Sequence, residues 1–191
     1  VTRPRALPLY YPFKTSRGIK NIWATFSEDQ VDLNFSNPKV LIEVLNILIT
    51  YAKKGARFIR LDAIGFAWKK LGTSCMHLEE THAIVSLCRE VLELCAPGTI
   101  IITETNVTHI DNISYFGEGN EAQMVYQFPL PPLTLFSFLS QKATKLNEWA
   151  RGIRNMYENT TYFNFLASHD GIGLRPVEGI LTQSEIDFMS E

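Results

Sequence analysis

Three short apolar runs in this chain lie just ahead of carboxylic acids, and the distances between those acids constrain the fold more than any other feature. Residues 57–61 are closed by Asp62, residues 99–103 by Glu104, and residues 162–167 lead into Asp170. Asp62 to Glu104 is 42 positions, about one strand–helix unit with a loop; Glu104 to Asp170 is 66, enough for two units with short loops. The intervening stretches agree. Over 39–54 the apolar positions Val40, Val44, Leu45, Leu48, Ile49 and Ala52 recur at helical spacing, and Gly55 ends the helix. A second long helix is predicted over 78–95, stopped by Pro97 and Gly98.

Further along, 122–128 reads as a strand, 131–139 as a helix start and 182–191 as a terminal helix. The start is less regular: 1–12 looks like an extended loop, 22–26 is β-prone, and DLNFSNP over 32–38 supplies turn and helix-start residues. Strands alternating with helices of ten or more residues indicate an α/β chain whose parallel sheet is wrapped by helices. Acids at several strand ends match a (β/α)₈ TIM barrel, which builds its site there. A doubly wound open sheet would carry a glycine-rich nucleotide fingerprint after a strand, and none follows any strand here. A whole barrel typically needs about 250 residues. With about four strands recognisable, no initial methionine and a helix running to the end, the expectation is a partial barrel. Residues 1–191 are read as an internal fragment of one catalytic domain.

Composition narrows the partners. The net charge of -2 and the lack of long basic runs give no footprint for nucleic acid or an anionic membrane. No stretch of about 18 apolar residues is present. Cys75, Cys88 and Cys95 are an odd set, and the last two, seven positions apart on one predicted helix, would be about 10 Å apart, too far for a disulfide. A reducing, cytoplasmic setting is expected. His77 and His82 read as surface or packing residues five apart on a helix rather than metal ligands, so no metal or other cofactor is expected.

Cleaving an acetal with retention needs one acid to protonate the leaving oxygen and one carboxylate to trap the sugar as an ester. Adjacent barrel strands could present Asp62 and Glu104 side by side. Asp170, from across the mouth, could hold sugar hydroxyls and offset positive charge. Each acid taken alone has a plainer reading as a turn or helix-cap residue, and Arg60 one as a structural partner of Asp62.

The local motifs separate these readings. GARFIRLDAIGF, IITETN and NFLASHDGIG resemble, in order, the three motifs that carry the acids of the α-amylase superfamily, and DLNFSNP resembles the stretch that precedes them. The resemblance implies Asp62 as nucleophile, Glu104 as general acid/base and Asp170 as transition-state stabiliser, with Arg60 and His169 among the substrate-binding residues. The superfamily's earlier Asp-x-x-x-Asn-His pattern does not occur in this sequence. That gap leads us to expect little activity from the chain by itself.

VTRPRALP, FSEDQVDLN, LGTSC, PLPPL and HDGIG together resemble the sucrose phosphorylase branch. That branch implies transfer of glucose from an α-glucoside to phosphate, with Arg5 at the phosphate and Gln30 lining the site. The partners implied are therefore a sugar and inorganic phosphate, with a homodimer left open. Residues 102–133, with Phe66 and Trp68, look closer to members acting on glucosylglycerate or phosphorylated sucrose than to the plain sucrose enzymes. Two rivals remain at this stage. One is a hydrolase or transglucosidase using the same acids, told apart by its products; the other is an inactive interaction domain, which commonly lacks one or more of the three acids.

Overall fold

A computed structural model describes residues 1–190, so the last residue of the expected terminal helix, Glu191, lies outside the described residues. The chain opens with an antiparallel hairpin of β1 (Tyr10–Thr15) and β2 (Gly18–Trp23). Residues 1–9 lie outside any strand or helix as expected, but 10–12 belong to β1 rather than to the loop, and the β-prone run of 22–26 moves upstream to Gly18–Trp23. The deciding feature is the turn: Thr15 Oγ1 donates to Gly18 O at 2.7 Å and accepts from Arg17 N at 3.1 Å, and Gly18 has a φ of 91°. Such a backbone conformation favours glycine. Pro12 is tolerated because a two-stranded ribbon has only edge strands.

The helix α1 (Pro38–Lys53) begins where Asn37 accepts the amide of Lys39 at 3.1 Å and ends before Gly55, whose φ is 99°. After it come β3 (Phe58–Leu61), α2 (Glu79–Cys95) and β4 (Ile100–Thr103). The short α3 (His109–Ile113) leads to β5 (Met124–Tyr126), followed by α4 (Leu130–Ser140), α5 (Thr144–Gly152), β6 (Thr161–Phe163) and α6 (Gln183–Phe188). The four strands β3, β4, β5 and β6 lie side by side in that order and all pair in parallel. This is the arrangement of successive units in a (β/α) barrel wall, and it makes the chain a partial barrel.

Alternation on β3 shows how the wall divides its faces. Ile59 is buried, whereas Phe58 and Arg60 on either side of it are exposed. Ile59 joins Leu48 of α1, Ile84, Val85 and Leu92 of α2, and Ile101 and Val125 of the neighbouring strands in one core. Each fully buried aliphatic side chain contributes about 1.5–3 kcal/mol relative to exposure. A second cluster of Leu133, Phe136, Val177 and Leu181 ties α4 to the segment after Asp170.

Candidate active site

Register places the first two acids. Leu61 of β3 lies opposite Thr103 of β4, and the amide of Glu104 donates to the carbonyl of Leu61 at 3.1 Å. Asp62 and Glu104 therefore leave their strands at the same level, although they are 42 positions apart in sequence. Arg60 and Asp62, two residues apart, share a side of the strand, and Arg60 Nη2 lies 2.6 Å from Asp62 Oδ1.

The backbone turns sharply after Asp62. Ala63 has a φ of 44° and a ψ of 33°, a left-handed conformation uncommon for a residue with a Cβ. Its N–H donates to Glu104 Oε2 at 3.1 Å. The residue following one acid thus fixes the carboxyl of the other. Burial is the largest influence on Glu104 and raises its pKa above the ordinary carboxylate value. The Ala63 N–H opposes it, Asp62 adds to it, Arg60 opposes it and Asp170 adds to it. One acid is exposed and paired with a guanidinium, while its half-buried neighbour is biased toward holding its proton.

All seven residues expected from the sequence line one cleft of about 820 Å³: Arg5, Gln30, Arg60, Asp62, Glu104, His169 and Asp170. His169 Nε2 is 3.2 Å from Asp170 Oδ2, and the amide of Asp170 donates to Ser168 Oγ at 3.2 Å. Gln30 Oε1 accepts from Ser27 Oγ at 3.1 Å. Arg5 comes from the N-terminal segment, which is held where the amide of Thr2 donates to Ser74 O at 2.7 Å. Phe66 lines the cleft, whereas Trp68 packs against the core.

The cleft also holds residues that the sequence reading did not single out. Tyr126, Phe128 and Phe165 form an aromatic wall, with Tyr126 and Phe128 stacked at 5.3 Å and Phe165 at 5.1 and 5.5 Å from them. The i, i+2 spacing of Tyr126 and Phe128 was the available signal. Arg175, on a 3₁₀ turn over Arg175–Val177, is a further lining residue. Behind the loop, Thr105 Oγ1 donates to Asn112 Oδ1 at 2.8 Å and Asn112 Nδ2 to Tyr126 O at 2.7 Å, fastening the residue after Glu104 to the end of β5.

His77 and His82 pack, as expected, but not on one helix: α2 starts at Glu79, and His77 precedes it with a φ of 53°. His77 Nδ1 lies 2.7 Å from the Tyr115 hydroxyl, while His82 stacks on Tyr115 and its Nδ1 lies 2.9 Å from Glu121 Oε2. Among the described residues no group of three or more His, Cys, Asp or Glu side chains could hold a metal, and no helix is long and apolar enough to cross a membrane.

The family described as alpha amylase, catalytic domain, matches residues 20–175. Glucosylglycerate phosphorylase of Allomeiothermus silvanus is 58% identical over 187 residues, 97% of this chain and 34% of that protein. The glucosylglycerate phosphorylase of Escherichia coli (strain K12) is 55% identical over 188 residues, with the same coverage of 97% and 34%. The chain thus spans about a third of the length of these curated relatives. The crystal structure of sucrose 6F-phosphate phosphorylase from Thermoanaerobacter thermosaccharolyticum has a TM-score of 0.81 at 24% identity, covering 97% of this chain and 37% of that one. At that identity the likeness speaks for the fold.

Proposed function

Because this chain belongs to the alpha-amylase catalytic-domain family, we propose that it carries the reacting carboxylates of a retaining glucoside phosphorylase. Residues 1–191 are then part of one catalytic domain. The observation that carries this reading is the β3–β4 register, which sets an ion-paired Asp62 level with a Glu104 whose pKa is raised by burial.

Glu104 gives its proton to the glycosidic oxygen as the Asp62 carboxylate attacks the anomeric carbon. The C–O bond to the leaving group breaks and a glucosyl ester forms. Phosphate then attacks the same carbon, Glu104 takes the phosphate proton, and Asp62 leaves. Two inversions give α-glucose 1-phosphate with net retention. Arg60, 2.6 Å from Asp62, keeps that carboxylate aimed, and Asp170 with His169 holds sugar hydroxyls and offsets the positive charge of the transition state. Gln30 and the aromatic wall shape the sugar site. Arg5 supplies a guanidinium fork for phosphate.

Glucosylglycerate is the donor favoured by relatives at 58% and 55% identity. The free thiols of Cys75, Cys88 and Cys95 support a reducing compartment such as the cytosol. The test is to give the complete gene product glucosylglycerate and phosphate and to follow α-glucose 1-phosphate beside free glucose. Asp62→Asn should abolish both products, and Arg5→Ala should lower phosphorolysis by roughly 10- to 150-fold, more than it lowers hydrolysis. Free glucose as the sole product would sink the phosphorylase reading in favour of a hydrolase.

A further inference from the structure

The charges of the cleft do not all balance one another. Arg60 is paired with Asp62, and His169 lies beside Asp170. Arg175 also lines the cleft, and among the described residues its side chain takes part in no ion pair or hydrogen bond. An arginine left without an acid in a concave site needs either solvent or an anionic ligand. Its backbone is well held, since the next two residues, Pro176 and Val177, are buried and Val177 belongs to the cluster under α4. Arg175 is exposed while its base is fixed, which suits a recognition residue.

Arg175 shares the cleft with Arg5. The N-terminal segment that bears Arg5 is bonded through Thr2 to the carbonyl of Ser74. The charge of Arg175 is felt three residues further on, at His77, which also feels Asp111 and His82 and is held toward its neutral form chiefly by burial. Arg5, Met76 of the 74–77 loop and Arg175 all line the same cleft. Glu104, in contrast, feels Asp62, Arg60 and Asp170. Besides the ion-paired Arg60, the cleft lining thus carries two further arginines, Arg5 and Arg175.

We propose that Arg175 selects donors whose departing group is an anion, by binding the carboxylate or phosphate of that group within the cleft. The inference rests on the phosphorylase reading above and adds to it a residue that distinguishes an acidic leaving group from a neutral one of similar size. Arg5 then meets the entering phosphate, and Arg175 the departing carboxylate or phosphate. Lysine would restore charge without the two-pronged geometry.

The experiment compares glucosylglycerate with glucosylglycerol in the complete gene product, which differ in carrying a carboxylate or a neutral hydroxymethyl group. In Arg175→Gln the ratio of kcat/KM for the acidic donor to that for the neutral donor should fall by roughly 10- to 150-fold, mainly through KM for the acidic donor. Arg175→Lys should recover part of that ratio. Thermal melting separates this from misfolding, because the ratio is read only in variants that melt with the parent. A ratio unchanged in a folded Arg175→Gln protein overturns the proposal. So does a change confined to KM for phosphate, which would put Arg175 at the acceptor. Absence of glucose 1-phosphate from the parent protein with either donor is a different failure, that of the phosphorylase reading itself.

Discussion

Replacing Arg60 by methionine separates the folding role of its ion pair from its chemical role. The guanidinium lies 2.6 Å from Asp62, and the two side chains are 34% and 70% exposed. A pair so open to water contributes only about 0–1 kcal/mol to folding, so the variant should melt close to the parent. Turnover should suffer more. A sugar seated in the cleft displaces the water that screens the pair, and a hydrogen bond to a charged group in that setting contributes about 1.5–3 kcal/mol, roughly 10- to 150-fold in kcat/KM. A second readout comes from the neighbouring acid. Arg60 lowers the pKa of Glu104 against burial and the charges of Asp62 and Asp170, so its removal lets that pKa climb further. The alkaline limb of the rate profile should therefore shift to higher pH, because Glu104 keeps its proton longer. Formation of α-glucose 1-phosphate across a pH series, with melting curves on the same samples, reads both effects. A parental rate and an unmoved limb would refute the electrostatic argument, and a stability loss above about 3 kcal/mol would make Arg60 a structural residue.

Glu104→Gln should abolish turnover yet raise the melting temperature near neutral pH. Because the folded carboxyl has a raised pKa, its stabilising contribution is complete below the unfolded value of about 4.3 and is lost as pH rises through the folded value, so the gain should vanish in acid; a lower midpoint at neutral pH would contradict this. Gly117→Ala should destabilise by about 2–4 kcal/mol, since φ 57° and ψ -129° suit glycine and a Cβ would lie 2.6 Å from Asn120 Oδ1 and 2.8 Å from Cγ of the buried Glu121; denaturant melts within 0.5 kcal/mol of the parent would rule it out. The 191-residue chain expressed by itself should self-associate and show negligible activity, because β3 and β6 are the outer strands of the described sheet and Phe58 beside that edge is 58% exposed; a monomeric, cooperatively melting, active species in sedimentation and assay would overturn it.

Where the pattern of burial is local, the sequence by itself determined the outcome. The apolar period of α1, the glycine at its end and the short apolar runs before Asp62 and Glu104 each report which residues face a core, and the parallel order of β3 to β6 followed from strands alternating with helices. The acids could be located by their own flanking residues. What only the tertiary structure decided depends on partners far away in the chain. The hairpin of β1 and β2 was hidden by a proline and a polar turn, and α3 is too short at five residues for a period to emerge. Helix α5 is only nine residues long and buries no residue fully; Leu146 and Trp149, three apart, pack partly against the cluster under α4, a short pattern that the sequence reading did not use. The level pairing of Asp62 with Glu104, the Ala63 N–H that holds Glu104, the seating of Phe165 against Tyr126 and Phe128, and the presence of Arg5 and Arg175 in one cleft are set by strand register and loop packing. Those contacts join residues tens of positions apart, and no residue's own neighbours encode the distance between them.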